Sequence, residues 1–255
     1  MKNIVLGIVG PDIFDNKEVA NMTSFILMNK FNCSFGDFIK YKKNNFDFKN
    51  IYDFEKYIIQ VTSIVYNVPE EYLTDANFRY NYYYYKKGMA ILPEEDVELG
   101  VKTNKLKIAE HTNEFSSLKR GSKYVIKLND LINSVYDNLQ RLNVDAFTGK
   151  NLYDIKDMLN YYNFVICTNV NYENQRAVIN KFPYGEFIKV LSPKNKNCKL
   201  KSIKLYGRFI NEQINSENIN SAITLTYNKT QLTTIFYSLY KQLNKLKEEF
   251  EIKGL

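Results

Sequence analysis

Short apolar runs alternate along this chain with longer stretches of helical periodicity. Residues 3–9, NIVLGIV, form a β-branched run ending at Gly10, the pattern of a strand buried on both faces of a parallel sheet. After the turn PDIFD the spacing becomes helical. Val19, Thr23, Ile26 and Leu27 share one face, with Asp15 or Asn16 placed as N-cap. The pattern next predicts a short strand at 32–35 and a helix near 52–66 that aligns Phe54, Ile58, Val61 and Val65. Helices are expected at about 128–142, aligning Leu131, Val135, Leu139 and Leu142, and at 152–160. NFVICT at 163–168 is the second strong strand, followed by a short helix at 173–181 and strands at 187–191 and 222–226. Leu232, Ile235, Phe236, Leu239, Leu243, Leu246 and Phe250 then repeat at helical spacing in a long closing helix over 230–250.

Strands alternating with helices predict an α/β fold, a parallel sheet flanked by helices on both faces, in one domain over residues 1–255. No internal repeat is visible. Residues 81–123 break the alternation. They open with Tyr82-Tyr83-Tyr84-Tyr85, then become charged with Gly88, Pro93, Gly100 and Gly121 scattered through them. This stretch reads as an irregular or β-containing insertion.

Composition narrows the chemistry. Hydrophobic residues make up 45% of 255 positions, enough for a packed core. No apolar run approaches the roughly 20 residues a membrane helix needs, and nothing resembles a signal peptide, so a soluble protein is expected. Cys33, Cys167 and Cys198 are widely spaced and His111 is the only histidine. That argues against a zinc site, a disulfide framework or a histidine-based catalytic system, and no metal is expected. The net charge of +7 leaves nucleic acid, nucleotides or an acidic partner open, or a basic surface that only confers solubility. Abundant Asn, Lys, Ile, Tyr and Phe with no Trp point to an AT-rich genome.

The first strand runs into Gly7-Ile8-Val9-Gly10-Pro11-Asp12-Ile13-Phe14-Asp15-Asn16-Lys17-Glu18-Val19-Ala20. A strand, a glycine-bearing turn and a helix make phosphate-binding geometry, in which backbone N–H groups and the helix N-terminus cradle phosphate oxygens. An active loop reads G-x-x-x-x-G-K-[ST], its lysine reaching the β/γ-phosphates and its hydroxyl holding magnesium.

The segment resembles the opening of deoxynucleoside monophosphate kinases, where a pattern like G-x-x-G-x-x-x-x-G-K-D-T-V-A occurs. Gly7, Gly10, Val19 and Ala20 match it without a gap, while Asp15 replaces the second loop glycine, Asn16 the lysine and Glu18 the threonine. Residues 33–40, CSFGDFIK, resemble the family's S-F-A-D-x-L-K segment opening its second helix and retain Asp37 and Lys40. Residues 67–79, NVPEEYLTDANFR, resemble the stretch after it. Residues 165–175 resemble V-I-x-D-V-R-F-P-N-E: Asn174 matches, whereas Asn169 stands for the aspartate, Asn171 for the arginine and Gln175 for the glutamate. Residues 208–212 fall where the family has H-x-S-E, with Glu212 kept and Phe209 in the histidine's place. The resemblance omits 81–123.

Four charged groups have thus become Asn16, Asn169, Asn171 and Gln175, polar residues of similar or smaller size. Phosphoryl transfer rests on positioning and electrostatic stabilisation, and losing one such group costs about 10²–10³ in rate. The resemblance therefore implies a pseudoenzyme without cofactor, the kinase fold reused for protein contacts in a larger assembly. A bacteriophage virion or tail, or the cytoplasm of an infected bacterial cell, is the expected location. Two alternatives stay open: an active kinase using Lys17 or Lys40 with Asp37 or Glu212 for magnesium, and a non-catalytic nucleotide or nucleic-acid binder that stacks bases on tyrosines.

Overall fold

The computed structural model describes residues 3–10, 13–44, 47–85, 89–108, 124–170, 173–191 and 221–252. His111, Asn171, Cys198 and the whole 208–212 segment with Glu212 lie outside them. The chain divides into two compact units, 1–54 with 148–255, and 55–147, so that 81–123 falls within the second.

The first unit carries a five-stranded parallel sheet. Its strands are β1 (Ile4–Val9), β2 (Ile51–Asp53), β7 (Phe164–Thr168), β8 (Gly185–Leu191) and β9 (Ile223–Thr226), ordered β2-β7-β1-β8-β9. β1 is central and pairs in parallel with both β7, Gly7 opposite Cys167, and β8, Gly7 opposite Phe187. Alternation along β1 serves two cores, as a doubly covered sheet requires. Leu6 and Ile8 pack under α1 (Ile13–Met28), α2 (Phe35–Lys43) and α9 (Leu232–Ile252), around Met22, Phe25, Phe38 and Phe236. Val5 and Val9 face the other way, onto Val178 and Ile179 of α8 (Glu173–Asn180), Phe54 and Ile155. Gly7 lies on this second face. A Cβ there would sit 2.4 Å from Ile179 Cδ1, so its missing side chain lets α8 approach the sheet.

The second unit contains α3 (Lys56–Tyr66), α4 (Glu70–Thr74), α5 (Ala76–Asn81) and a sheet ordered β4-β3-β6-β5 with α6 (Glu94–Lys102) beside it. Its strands are β3 (Tyr82–Tyr85), β4 (Ala90–Pro93), β5 (Lys107–Ile108) and β6 (Tyr124–Lys127). The four tyrosines are therefore a strand, antiparallel to both β4 and β6, with Tyr83 and Tyr84 buried. Arg79 is only 3% exposed. It donates to both Glu55 carboxylate oxygens at 2.7 and 2.5 Å and to Asn129 Oδ1 at 2.8 Å, which satisfies a buried guanidinium. α7 (Leu128–Met158) runs through the boundary between the units.

Several elements depart from the periodicity. The strand expected at 32–35 is absent, because Ser34 starts α2 with a reciprocal capping box. Its hydroxyl accepts from the Asp37 N–H while the Asp37 carboxylate accepts from the Ser34 N–H at 2.9 Å. The helix expected over 52–66 splits into β2 and α3, and Ile58, Ile59 and Thr62 form the buried face, leaving Val65 exposed. The two helices expected at 128–142 and 152–160 are one continuous helix, since residues 143–151 contain no proline and only Gly149 to interrupt it. The closing helix begins after a 3₁₀ turn at Lys229–Gln231 capped by Asn228.

Candidate functional site

Two connections leave the sheet in opposite directions. From β1 the chain passes through α1 and α2, on one face, to β2, crossing over β7. From β7 it passes through α8, on the other face, to β8, crossing over β1. Adjacent strands whose connections diverge in this way open a crevice at their carboxyl ends, the usual ligand position in open α/β sheets. At that edge β1 ends at Val9 before α1 begins at Ile13, and β7 ends at Thr168 before α8 begins at Glu173. Asn16, Asn169, Asn174 and Gln175 belong to these two passages or to the helices that follow them.

Val9 ends β1 and Ile13 already begins α1, so Asp15, Asn16, Lys17 and Glu18 lie in the helix, not in a loop. Asn16 is not an N-cap: it falls within the first turns of α1 and is fully buried. Its Nδ2 donates to the Gly10 carbonyl at 3.0 Å. A Cβ on Gly10 would stand 2.4 Å from Asn16 Oδ1 and 2.9 Å from the Val190 carbonyl oxygen. Gly10 is thus required for close approach, but what approaches is the Asn16 amide. Its Oδ1 is buried without a hydrogen-bond partner. An amide oxygen is an acceptor only, so it offers an anion nothing.

Among the described side chains, the nearby charges are paired or exposed. Both Glu18 carboxylate oxygens accept from Lys42 Nζ, at 2.8 and 2.7 Å, tying α1 to α2. Lys17 and Lys40 are exposed. Asp37 is engaged in the α2 capping box, and the Ser34 hydroxyl and N–H hold its carboxyl below the usual carboxylate range.

At the end of β7, Asn169 is 4% exposed and adopts a left-handed φ of 57°. Asparagine tolerates this region better than most residues. Its Nδ2 donates to Asp53 Oδ1, at the end of β2, at 2.7 Å. Its Oδ1 is buried without a partner. An aspartate at 169 would set two carboxylates against each other, so the amide is the residue that suits Asp53. Gln175 is buried in the first turn of α8, where Asn174 Oδ1 accepts the Gln175 N–H at 3.0 Å. On the second-core face beneath, Tyr52 donates to Asn151 Oδ1 at 2.7 Å, and burial, then Asp154, pushes its phenol far above the ordinary value. Cys167 is fully buried and its thiol is likewise pushed up by burial, so it is no nucleophile.

Asn16 in α1 and Asn169 after β7 are thus buried amides where the resembled motif carries charge. Asp53, the partner of Asn169, is the position that periodicity missed, since the helix expected from 52 hid the end of a strand. Its signal was the polar Asp53 closing the β-branched and aromatic pair Ile51-Tyr52. Among the described residues no cluster of three or more His, Cys, Asp or Glu is placed to hold a metal, and no helix is long and apolar enough to cross a membrane. No family model matches the chain, and no curated protein or solved structure is significantly similar to it.

Proposed function

We propose that this chain is a deoxynucleoside monophosphate kinase-like protein that has lost catalysis and serves as a structural or protein-interaction component of a larger assembly, a bacteriophage virion or tail. The observation that carries the reading is Asn16. A buried amide, hydrogen-bonded to the Gly10 carbonyl, stands where the resembled motif has its phosphate-binding lysine. Phosphoryl transfer without that lysine lacks its main electrostatic support. The Asn169–Asp53 pair supports the same reading at the end of β7, where an amide donating to Asp53 stands in place of the motif's aspartate. The five-stranded parallel sheet with both turns at one crevice supports the kinase-like scaffold.

The test is calorimetric titration of the full chain with Mg-ATP and with each deoxynucleoside monophosphate, followed by a phosphate-transfer assay. No saturable heat and no turnover are expected. Turnover that disappears in Lys17→Ala or Lys40→Ala would overturn the reading and place the chemistry on a relocated lysine.

A further inference from the structure

At the opposite, amino edge of the parallel sheet lies a cavity of about 240 Å³ that the kinase-like reading does not use. Its floor is formed by Ile4 and Phe164, the first residues of β1 and β7. Its walls are Leu27, Phe31, Leu243 and Leu246, from the end of α1, the turn after it, and α9. The lining is apolar apart from Lys30 and Lys247, both exposed, and no acidic residue lines it. Apolar walls with cationic groups at the rim match one chemistry, an alkyl chain ending in an anion.

The rim is the C-terminal cap of α1. Lys30 and Phe31 have left-handed φ of 49° and 62°, as is common where a helix ends. The Phe31 N–H donates to the Ile26 carbonyl at 3.1 Å and the Lys30 N–H to the Leu27 carbonyl at 3.0 Å, which fixes the turn that carries both side chains. Here Tyr240 Oη donates to the Phe31 carbonyl, and the Tyr240 ring meets the Phe31 ring edge-on at 5.4 Å. Lys247 Nζ stands 5.5 Å from the centre of the Phe31 ring. Phe31 thus presents its ring to the cavity while Lys30 and Lys247 flank it. A cavity of about 150 Å³ takes a six-carbon ring, so this one takes an apolar body of roughly eight to ten carbons.

We infer that this cavity binds a free medium-chain alkyl carboxylate, its tail against Leu27, Leu243 and Leu246 and its carboxylate between Lys30 and Lys247. The experiment titrates the full-length chain calorimetrically with decanoate below its micelle concentration, alongside 1-decanol, acetate and decyltrimethylammonium. Decanoate should bind saturably at one site, at least tenfold more tightly than decanol, and acetate and the cationic amphiphile should not bind. Lys30→Gln with Lys247→Gln should lower decanoate affinity to that of decanol and leave decanol unchanged. Leu27→Phe, which fills the wall, should weaken both. No saturable decanoate binding, equal binding of the cationic amphiphile, or undiminished decanoate affinity in the double lysine variant would each overturn the inference. The lysines are exposed, so their replacement tests recognition without threatening the fold.

Discussion

Placing an aspartate at 169, as in the resembled motif, should harm this chain. In Asn169→Asp the Nδ2 donor to Asp53 disappears and a second carboxylate takes its place at a contact of 2.7 Å. A hydrogen bond to a charged acceptor contributes about 1.5–3 kcal/mol. Two unit charges about 4 Å apart repel by about 4 kcal/mol at an effective dielectric of about 20, and half-burial of Asp53 reduces this to about 2 kcal/mol. The variant should therefore be about 3.5–5 kcal/mol less stable than the wild type at pH 7.5. Repulsion raises a carboxyl pKa in the folded state above its unfolded value, so the folded variant holds its proton more tightly. Stability relative to the wild type is then regained as pH falls through the raised value, and the deficit should shrink below about 1 kcal/mol at pH 4. Urea unfolding of both proteins across that range measures the difference. The exchange Asp53→Asn with Asn169→Asp restores a donor facing a carboxylate and should recover most of the loss. A deficit under about 0.5 kcal/mol at pH 7.5, or one independent of pH, would refute the claim that Asn169 is there to neutralise Asp53.

Two further outcomes follow from the packing. Gly10→Ala drives a Cβ toward Asn16 Oδ1 and the Val190 carbonyl and should cost about 1–3 kcal/mol in chemical denaturation. Adding Asn16→Ala removes the nearer clash, so the double variant should be more stable than the sum of the single effects, and strict additivity would argue against the filled turn. Arg79→Met leaves Glu55 and Asn129 without their buried partner and should cost about 3–5 kcal/mol, read from thermal or urea melts.

Much of the first unit was legible because its physics is local. β1 and β7 are apolar runs with no alternation, and α9 repeats its apolar residues at helical spacing over twenty-one residues. Such patterns arise from burial on two faces or on one stripe, and neighbours in sequence suffice to reveal them. The failures were equally physical. Asn32–Ser34 looked extended, but the capping box between Ser34 and Asp37 made the segment a helix entry. Tyr52 joined a helix by spacing, although the parallel partner Cys167 makes it strand.

By itself the sequence determined the α/β alternation, the glycines at 7 and 10, and the uncharged amides at 16, 169 and 175, since each is a matter of residue type and order. Only the tertiary structure decided what those residues do. Asn16 bonds Gly10 because α1 begins early enough to bring its amide onto that carbonyl. Asn169 donates to Asp53 because β7 inserts beside β2, bringing together residues 116 positions apart in the chain. The amino-edge cavity depends on α1, α9 and two strand starts meeting, and no periodicity carries that meeting. Hydrogen bonds and cavities are relations between distant segments, which is why residue order could name the amides but not what they touch.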